Sequence, residues 1–316
     1  GLWDRDGRTA QTLAGRLEVK AFADARSLIH DASVDAVIVA TPPRHHRRYA
    51  CAAARAKKHV FCEKPMATSL ADCDEMIQAC ARNDVHLMIG HLTRFHPLLA
   101  HVARTVRAGA VGKPTMLVLR RLGGRWSDGD WLQPWRLRRQ ESGGALMEIN
   151  CHELDFMRLT GGDVTHVFAI GERFYQHEAD YPDQMLVSLQ FSGGALGYLH
   201  SSQASAIGSY GGRIDCTNGS IVFPTIFGRA PVIQLCRFGD DVKTIGPEEF
   251  ADVSPIHLEV EAFVAAIRSD VPPPVTGQDG RAVVEIALAA YESMDTQRPV
   301  NLPVRDGSSS KGRAGR

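Results

Sequence analysis

Val34-Asp35-Ala36-Val37-Ile38-Val39-Ala40-Thr41-Pro42-Pro43 is a short, nearly continuous apolar run, rich in β-branched residues and ended by two prolines. A strand with one wet face alternates apolar and polar residues, whereas a strand covered on both faces does not, so this run reads as a central strand of a parallel sheet. The pattern repeats downstream. An Ala-rich helix over 46–57 leads to a second strand, His59-Val60-Phe61-Cys62, with Glu63-Lys64-Pro65 at its carboxyl end. Ser69 with Asp72 three residues on resembles a capping box for a helix to Ala81. A third apolar strand, 85–89, is closed by Gly90. Upstream, Leu2-Trp3-Asp4 reads as the tail of a buried strand, followed by a helix with Ala10, Leu13, Ala14 and Leu17 at helical spacing. Strands alternating with helices imply right-handed crossovers and a parallel, doubly wound α/β sheet. Ligands of such sheets bind at the carboxyl ends of the strands, which brings Asp4, Thr41-Pro42 and Glu63-Lys64 to one edge.

After Gly90 the character changes. A helix over 97–108 runs through Gly109 and Gly112 into a strand near 116–122, then into a loop holding Trp126, Trp131 and Trp135. Period-2 segments follow at 164–171, 184–191, 195–201, 213–217 and 231–237, with turn signals such as Ser192-Gly193-Gly194 and Thr217-Asn218-Gly219 between several of them. Strands flank Gly193-Gly194 on both sides, so it is a hairpin turn and not a phosphate loop. Helices over 256–269 and 278–294 close the chain. These segments predict an α+β domain with a large, mostly antiparallel sheet. The expected division is 1–93 for the Rossmann-like domain, 94–304 for the second domain, and a disordered, Ser-, Gly- and basic-rich tail at 305–316.

Between the tryptophan loop and the late strands lies Ser142-Gly143-Gly144-Ala145-Leu146-Met147-Glu148-Ile149-Asn150-Cys151-His152-Glu153-Leu154-Asp155. Read as one helix, it carries Glu148, His152 and Asp155 on a narrow face at i, i+4 and i+7. Such a stripe is most often a solvated helix face. The functional alternative is an imidazole base oriented by a neighbouring acid, as alcohol oxidation or carbonyl reduction requires.

Composition removes several classes of function. Lys plus Arg equals Asp plus Glu at 36 each, which leaves no electrostatic footprint for nucleic acid or an anionic membrane. Seven cysteines without a C-x-x-C pair speak against a disulfide framework or a structural zinc, and point to a reducing cytoplasm. No apolar run is as long as a membrane span and no signal peptide is visible. His45, His46, His91 and His96 show no metal-ligand spacing, so no metal is expected. His152-Glu153 begins like a zinc-protease motif, but Phe156 stands where the second histidine would be.

In this order the pieces resemble the glucose-fructose oxidoreductase / inositol dehydrogenase / MocA-like family of nicotinamide-dependent oxidoreductases. The resemblance spans nearly all of 2–303. It is carried by Ala40-Thr41-Pro42-Pro43-Arg44-His45-His46, Glu63-Lys64-Pro65, Arg94-Phe95-His96-Pro97 and the 142–155 stretch, with late matches at Gly219, Ala262-Phe263-Val264 and Ala289-Ala290-Tyr291-Glu292-Ser293. It implies NAD or NADP as cofactor and hydride transfer at a secondary alcohol or ketone of a sugar, polyol or related small molecule. Asp4 falls where an acid binds the adenosine ribose, and Arg5 beside it is placed for a 2′-phosphate, which leaves the choice of dinucleotide open. Thr41, Pro42 and His46 match the turn beside the cofactor, and Glu63 the residue that holds the nicotinamide ribose. Lys64 matches the catalytic lysine, followed by a cis proline. His152 matches the proton-transferring base, with Glu148 as its orienting acid. Asp155, Arg94, Trp135 and Arg136 are the substrate-pocket candidates. Ser142, Glu148 and Asn150 depart from the family's Gly, Asp and Gly. No glycine-rich phosphate turn precedes Asp4 and the chain opens on Gly1, so an N-terminally truncated Rossmann domain with weakened cofactor binding is expected. The alternatives are a non-catalytic dinucleotide-binding regulator and a lyase or glycosidase that uses nicotinamide transiently. A homodimer or homotetramer through the second-domain sheet is expected, with no nucleic-acid or membrane partner.

Overall fold

The computed structural model describes residues 1–124, 133–226, 231–250 and 253–303. Trp126, Trp131 and the 305–316 tail lie outside the described residues. By internal contacts the chain divides into two units. The first is Gly1–Gly90 with Val260–Arg281, and the second is His91–Glu259 with Ala282–Arg316. The late segment 260–281 thus belongs with the first unit, which the contiguous division expected from the sequence did not foresee.

In the first unit, β1 (Ala36–Val39), β2 (His59–Glu63) and β3 (Leu87–Gly90) form a parallel sheet in that order, in the register Ala36↔His59 and Glu63↔Gly90. Helices α1 (Gly7–Leu17), α2 (Ala25–Ile29), α3 (His46–Arg55) and α4 (Leu70–Arg82) accompany it. β2 and β3 are apolar on both faces, as Val60, Phe61, Cys62, Met88 and Ile89 are all buried. Ser69 caps α4 by accepting from the Asp72 amide at 3.2 Å. Leu2 makes one isolated parallel bridge with Ala21, so the expected buried strand at 2–4 is reduced to a single pairing, and Asp4 and Arg5 are exposed. Beyond β3, Ile89 donates its amide to the Val275 carbonyl and Met88 bridges Thr276. A Cβ at Gly280 would stand 2.9 Å from Ile89, which explains why the start of the last helix carries glycine where it lies on the strand.

Among its described residues the second unit holds a nine-stranded sheet. Its strands are β4 (Pro114–Leu122), β5 (Val164–Glu172), β6 (Gln184–Phe191), β7 (Leu196–Ser202), β8 (Ser209–Cys216), β9 (Gly219–Phe223), β10 (Ile233–Arg237), β11 (Lys243–Ile245) and β12 (Val300–Asn301), in the order β11-β10-β9-β8-β4-β7-β6-β5-β12. β4 pairs parallel with β7 and antiparallel with β8, and the remaining described pairs are antiparallel. The helices are α5 (Pro97–Arg107), α6 (Arg139–Ser142), α7 (Gly144–Glu148) and α8 (Cys151–Gly161); α9 (Pro255–Ser269) and α10 (Gly277–Thr296) each cross the division between the units. Period-2 alternation buries Leu117, Leu119, Val187, Leu189 and Leu199 on one sheet face. The other face carries Phe168, Ile170 and Leu196 in the open, at 41%, 52% and 52% exposure.

Candidate active site

On the first unit, the carboxyl ends of β1 and β2 carry the residues singled out in the sequence. Glu63 is the last residue of β2. Burial pushes its carboxyl above the ordinary range, while the neighbouring Lys64 ammonium and amide pull it back. The Lys64 amide donates to Glu63 Oε2 at 3.2 Å, and the Lys64-Pro65 peptide is cis, as the resemblance implied. A Cβ at Gly90 would come within 3.2 Å of the same carboxylate oxygen, so glycine on β3 leaves room for it. His46 is buried, with Nδ1 at 2.9 Å from the Pro65 carbonyl and Nε2 at 2.6 Å from the Thr41 carbonyl. Burial lowers its pKa and the two carbonyls oppose that shift. With a backbone carbonyl beside each ring nitrogen, and one N–H to donate in its neutral form, His46 lies between the Thr41-Pro42 turn and the Lys64-Pro65 peptide. This places His46 within the turn expected to lie beside the cofactor, as a residue that shapes it.

Thr41 Oγ1 is buried and has no hydrogen-bond partner. An unmet hydroxyl at the carboxyl end of a parallel strand, one strand from a half-buried carboxylate, is what a polar ligand with ribose and phosphate groups would satisfy. These residues fit a dinucleotide.

On the second unit, the 142–155 stretch is not one helix. α7 ends at Glu148, Ile149 and Asn150 form the break, and α8 begins at Cys151. Gly143 and Gly144 both take left-handed φ, 82° and 71°. A Cβ on Gly144 would come within 2.3 Å of the Tyr291 hydroxyl, which itself accepts the Leu146 amide at 3.1 Å. Ser142, a departure from the family pattern, is buried; its hydroxyl bonds the Arg136 and Arg138 carbonyls and accepts the Gly144 amide. Asn150, another departure, is also buried and sits between Glu153 (Nδ2 to Oε2, 2.9 Å) and Ser201 (Oγ to Oδ1, 2.6 Å). Arg121 on β4 reaches Glu153 at 3.4 Å and lies 4.1 Å over the Tyr210 ring. Burial drives the Tyr210 hydroxyl well above its ordinary pKa. The first turn of α8, which carries His152, is thereby fastened to three strands of the sheet.

Because of the break, Glu148 does not stand one regular turn before His152. It is buried and takes a hydrogen bond from Arg136, whose guanidinium also covers the Trp135 ring at 4.6 Å. Its carboxylate thus anchors Arg136 through one oxygen, and the role of Glu148 as orienting acid for His152 stays a proposal. Asp155 is fully buried in a two-pronged pair with Arg94, Nε to Oδ2 at 2.7 Å and Nη2 to Oδ1 at 2.6 Å. Both Asp155 oxygens meet the guanidinium, so the pair has a structural role whether or not Arg94 also reaches a substrate. Arg136 and Trp135 are half-buried. The His91 ring lies edge-on to His152, with centroids 6.4 Å apart. This contact was not legible in the sequence, although the position of His91 directly after a parallel strand was a signal.

The family described as "Oxidoreductase family, NAD-binding Rossmann fold" matches residues 1–91, and the GFO/IDH/MocA C-terminal domain matches residues 99–222. The chain belongs to the GFO/IDH/MocA family. It is 32% identical over 303 residues to the myo-inositol 2-dehydrogenase of Thermotoga maritima, covering 90% of this chain and 84% of that one. The scyllo-inositol 2-dehydrogenase (NAD(+)) of Bacillus subtilis is 27% identical, with 94% and 86% covered. Among solved structures, the aldose-aldose oxidoreductase of Caulobacter crescentus complexed with glycerol superposes with a TM-score of 0.85 at 27% identity, covering 96% of this chain and 91% of that one. No helix among the described residues is long and apolar enough to cross a membrane.

Proposed function

We propose that this GFO/IDH/MocA family protein is an NAD(P)-dependent dehydrogenase acting on a secondary alcohol of a sugar, polyol or related small molecule. The observation that carries the reading is the Glu63-Lys64-Pro65 segment at the carboxyl end of β2, with the half-buried Glu63 carboxylate one strand from a turn whose Thr41 hydroxyl is unmet. The inositol dehydrogenases among its relatives support a hydroxylated ring as substrate. The nicotinamide, when bound, accepts or returns the hydride. The protein supplies the rest: Glu63 holds a ribose hydroxyl, Lys64 donates to the substrate oxygen, and His152 Nδ1 or Nε2 takes the hydroxyl proton. As charge builds on that oxygen, a fixed ammonium stabilises it more than it stabilises the alcohol, which lowers the barrier selectively. Reduction runs the same roles in reverse.

Titration with NADH and NADPH, read by nicotinamide fluorescence, is the first test. If Asp4 faces the ribose hydroxyls, NADH binds more tightly and Asp4→Ala weakens it. If Arg5 governs, NADPH binds more tightly and Arg5→Ala removes the preference. Failure of both forms to bind would match the weakened cofactor binding expected of a chain with no glycine-rich turn before Asp4, and would leave the family membership standing. Net formation of NADH or NADPH from a polyol separates a dehydrogenase from a regulator, which only binds, and from a transient user, which returns its hydride.

The reading extends to assembly and compartment. The open face of the second-unit sheet joins Phe168 and Ile170 on β5 to Leu196 on β7, and we assign it to a homodimer or homotetramer contact. Sedimentation should give an oligomer that Ile170→Arg with Leu196→Arg reduces to the monomer; an unchanged mass would place the contact elsewhere. No disulfide joins any of the seven cysteines, in keeping with the expected reducing cytoplasm.

A further inference from the structure

Three soft donors from distant parts of the sequence meet on the second unit. One ligand atom each from His91, Cys151 and His152 lies within 4.8 Å of the other two. His91 and Cys151 are buried and His152 is part-exposed, so the cluster has an open side. The imidazole planes stand at 82° to each other. Nothing in the hydride-transfer chemistry calls for a thiol beside the base. The buried network of Asn150, Glu153 and Ser201 holds the turn that presents both Cys151 and His152.

We propose that His91, Cys151 and His152 form a site for a thiophilic divalent cation of the Zn2+ class, and that its occupation reversibly switches the enzyme off. Imidazole and thiolate are both donors that zinc takes, and a set of three protein ligands leaves its fourth position open. Zn–N and Zn–S bonds in a tetrahedron put donors about 3.3–3.8 Å apart, so donors already within 4.8 Å need only small side-chain rotations to close on an ion. The cluster contains no carboxylate, which disfavours Mg2+ and Ca2+. Binding exchanges the Cys151 S–H bond for an S–metal bond and releases that proton to solvent, so affinity falls as pH is lowered. An imidazole ligated through one nitrogen keeps a proton on the other at neutral pH, so a ligated His152 has no lone pair with which to take the substrate proton. This switch rests on His152 as the base; the binding site itself does not.

The test uses the full chain, stripped of metal and titrated with Co2+ as an optical stand-in for Zn2+. One equivalent should bind, with visible tetrahedral bands and a near-ultraviolet thiolate-to-metal band. Cys151→Ser should abolish the thiolate band, and His91→Gln should weaken binding by at least about tenfold, the lower end of what even an outer-shell change costs. Cys236→Ser, at a part-exposed cysteine outside the cluster, should change neither, and thermal unfolding of each variant checks that it is folded. Absence of saturable binding, or a thiolate band that survives in Cys151→Ser, would overturn the site. In turnover assays Zn2+ should inhibit and a chelator should restore activity. Tight Zn2+ binding with undiminished turnover would overturn the switch. Binding by a chain that oxidises no polyol would support the site while failing the dehydrogenase reading.

Discussion

His152→Ala is expected to lower kcat by about 100- to 10,000-fold on the true substrate while leaving dinucleotide affinity within a few-fold. The reasoning is one of differential binding: the imidazole interacts with a proton that is in flight only in the transition state, so its loss falls on kcat more than on cofactor binding. Lys64→Ala should cost about 100- to 1,000-fold, the range for removing one donor aimed at developing negative charge. Under the proposed mechanism, in which both residues serve one reaction step, the two losses should not add. A distinguishing readout is the pH profile. The limb of the parent's kcat/KM profile that reports the general base should be lost in His152→Ala. A His152→Ala enzyme with near-parental turnover would remove the residue from the mechanism.

Removing one side of the Arg94–Asp155 pair should be the most damaging change to stability. Asp155 is fully enclosed and both its oxygens meet the guanidinium. Asp155→Ala would strand a buried cation, and Arg94→Ala a buried anion, each at about 3–5 kcal/mol. For a unit of this size that is a fall of roughly 6–20 °C in Tm. The double replacement Arg94→Met with Asp155→Leu should recover most of the loss, since an apolar pair of similar volume has no charge to desolvate. Equal destabilisation by the single and double variants would show that the side-chain volumes matter and the charges do not. A substrate contact by Asp155 would instead appear as raised KM with unchanged Tm.

The parallel core of the first unit was readable because strands covered on both faces have a one-dimensional signature. The runs at 34–40, 59–62 and 85–89 became β1, β2 and β3 with ends shifted by a few residues. The chemistry at their carboxyl ends was readable for the same reason, since strand direction fixes which end faces a ligand. The 142–155 stretch misled because its apolar spacing is helical on both sides of a two-residue break. The reason for the break lies in partners that sequence periodicity cannot show: Asn150 is held by Glu153 and by Ser201, 51 positions away. The carboxylates of the supposed polar stripe were claimed likewise, Glu148 by Arg136 and Asp155 by Arg94 from 61 positions upstream. The parallel β4–β7 pair was hidden too, because alternation along a strand says nothing about the direction of its neighbour.

That pair bears on how the protein is made. β4 is flanked in the sheet by β7 on one edge and β8 on the other, and both lie later in the chain. During synthesis, β4 therefore leaves the ribosome with no strand to receive it, and must wait about 70 residues for Leu196; at typical elongation rates of about 5–20 residues per second that is roughly 4–15 s. A nine-residue strand with two bare edges is an invitation to pair with a neighbouring nascent chain. Pro114 at its start and Arg120-Arg121 near its end are the kind of residues that discourage such pairing, so the same arginine that later holds Glu153 in the finished enzyme also guards the strand while it waits.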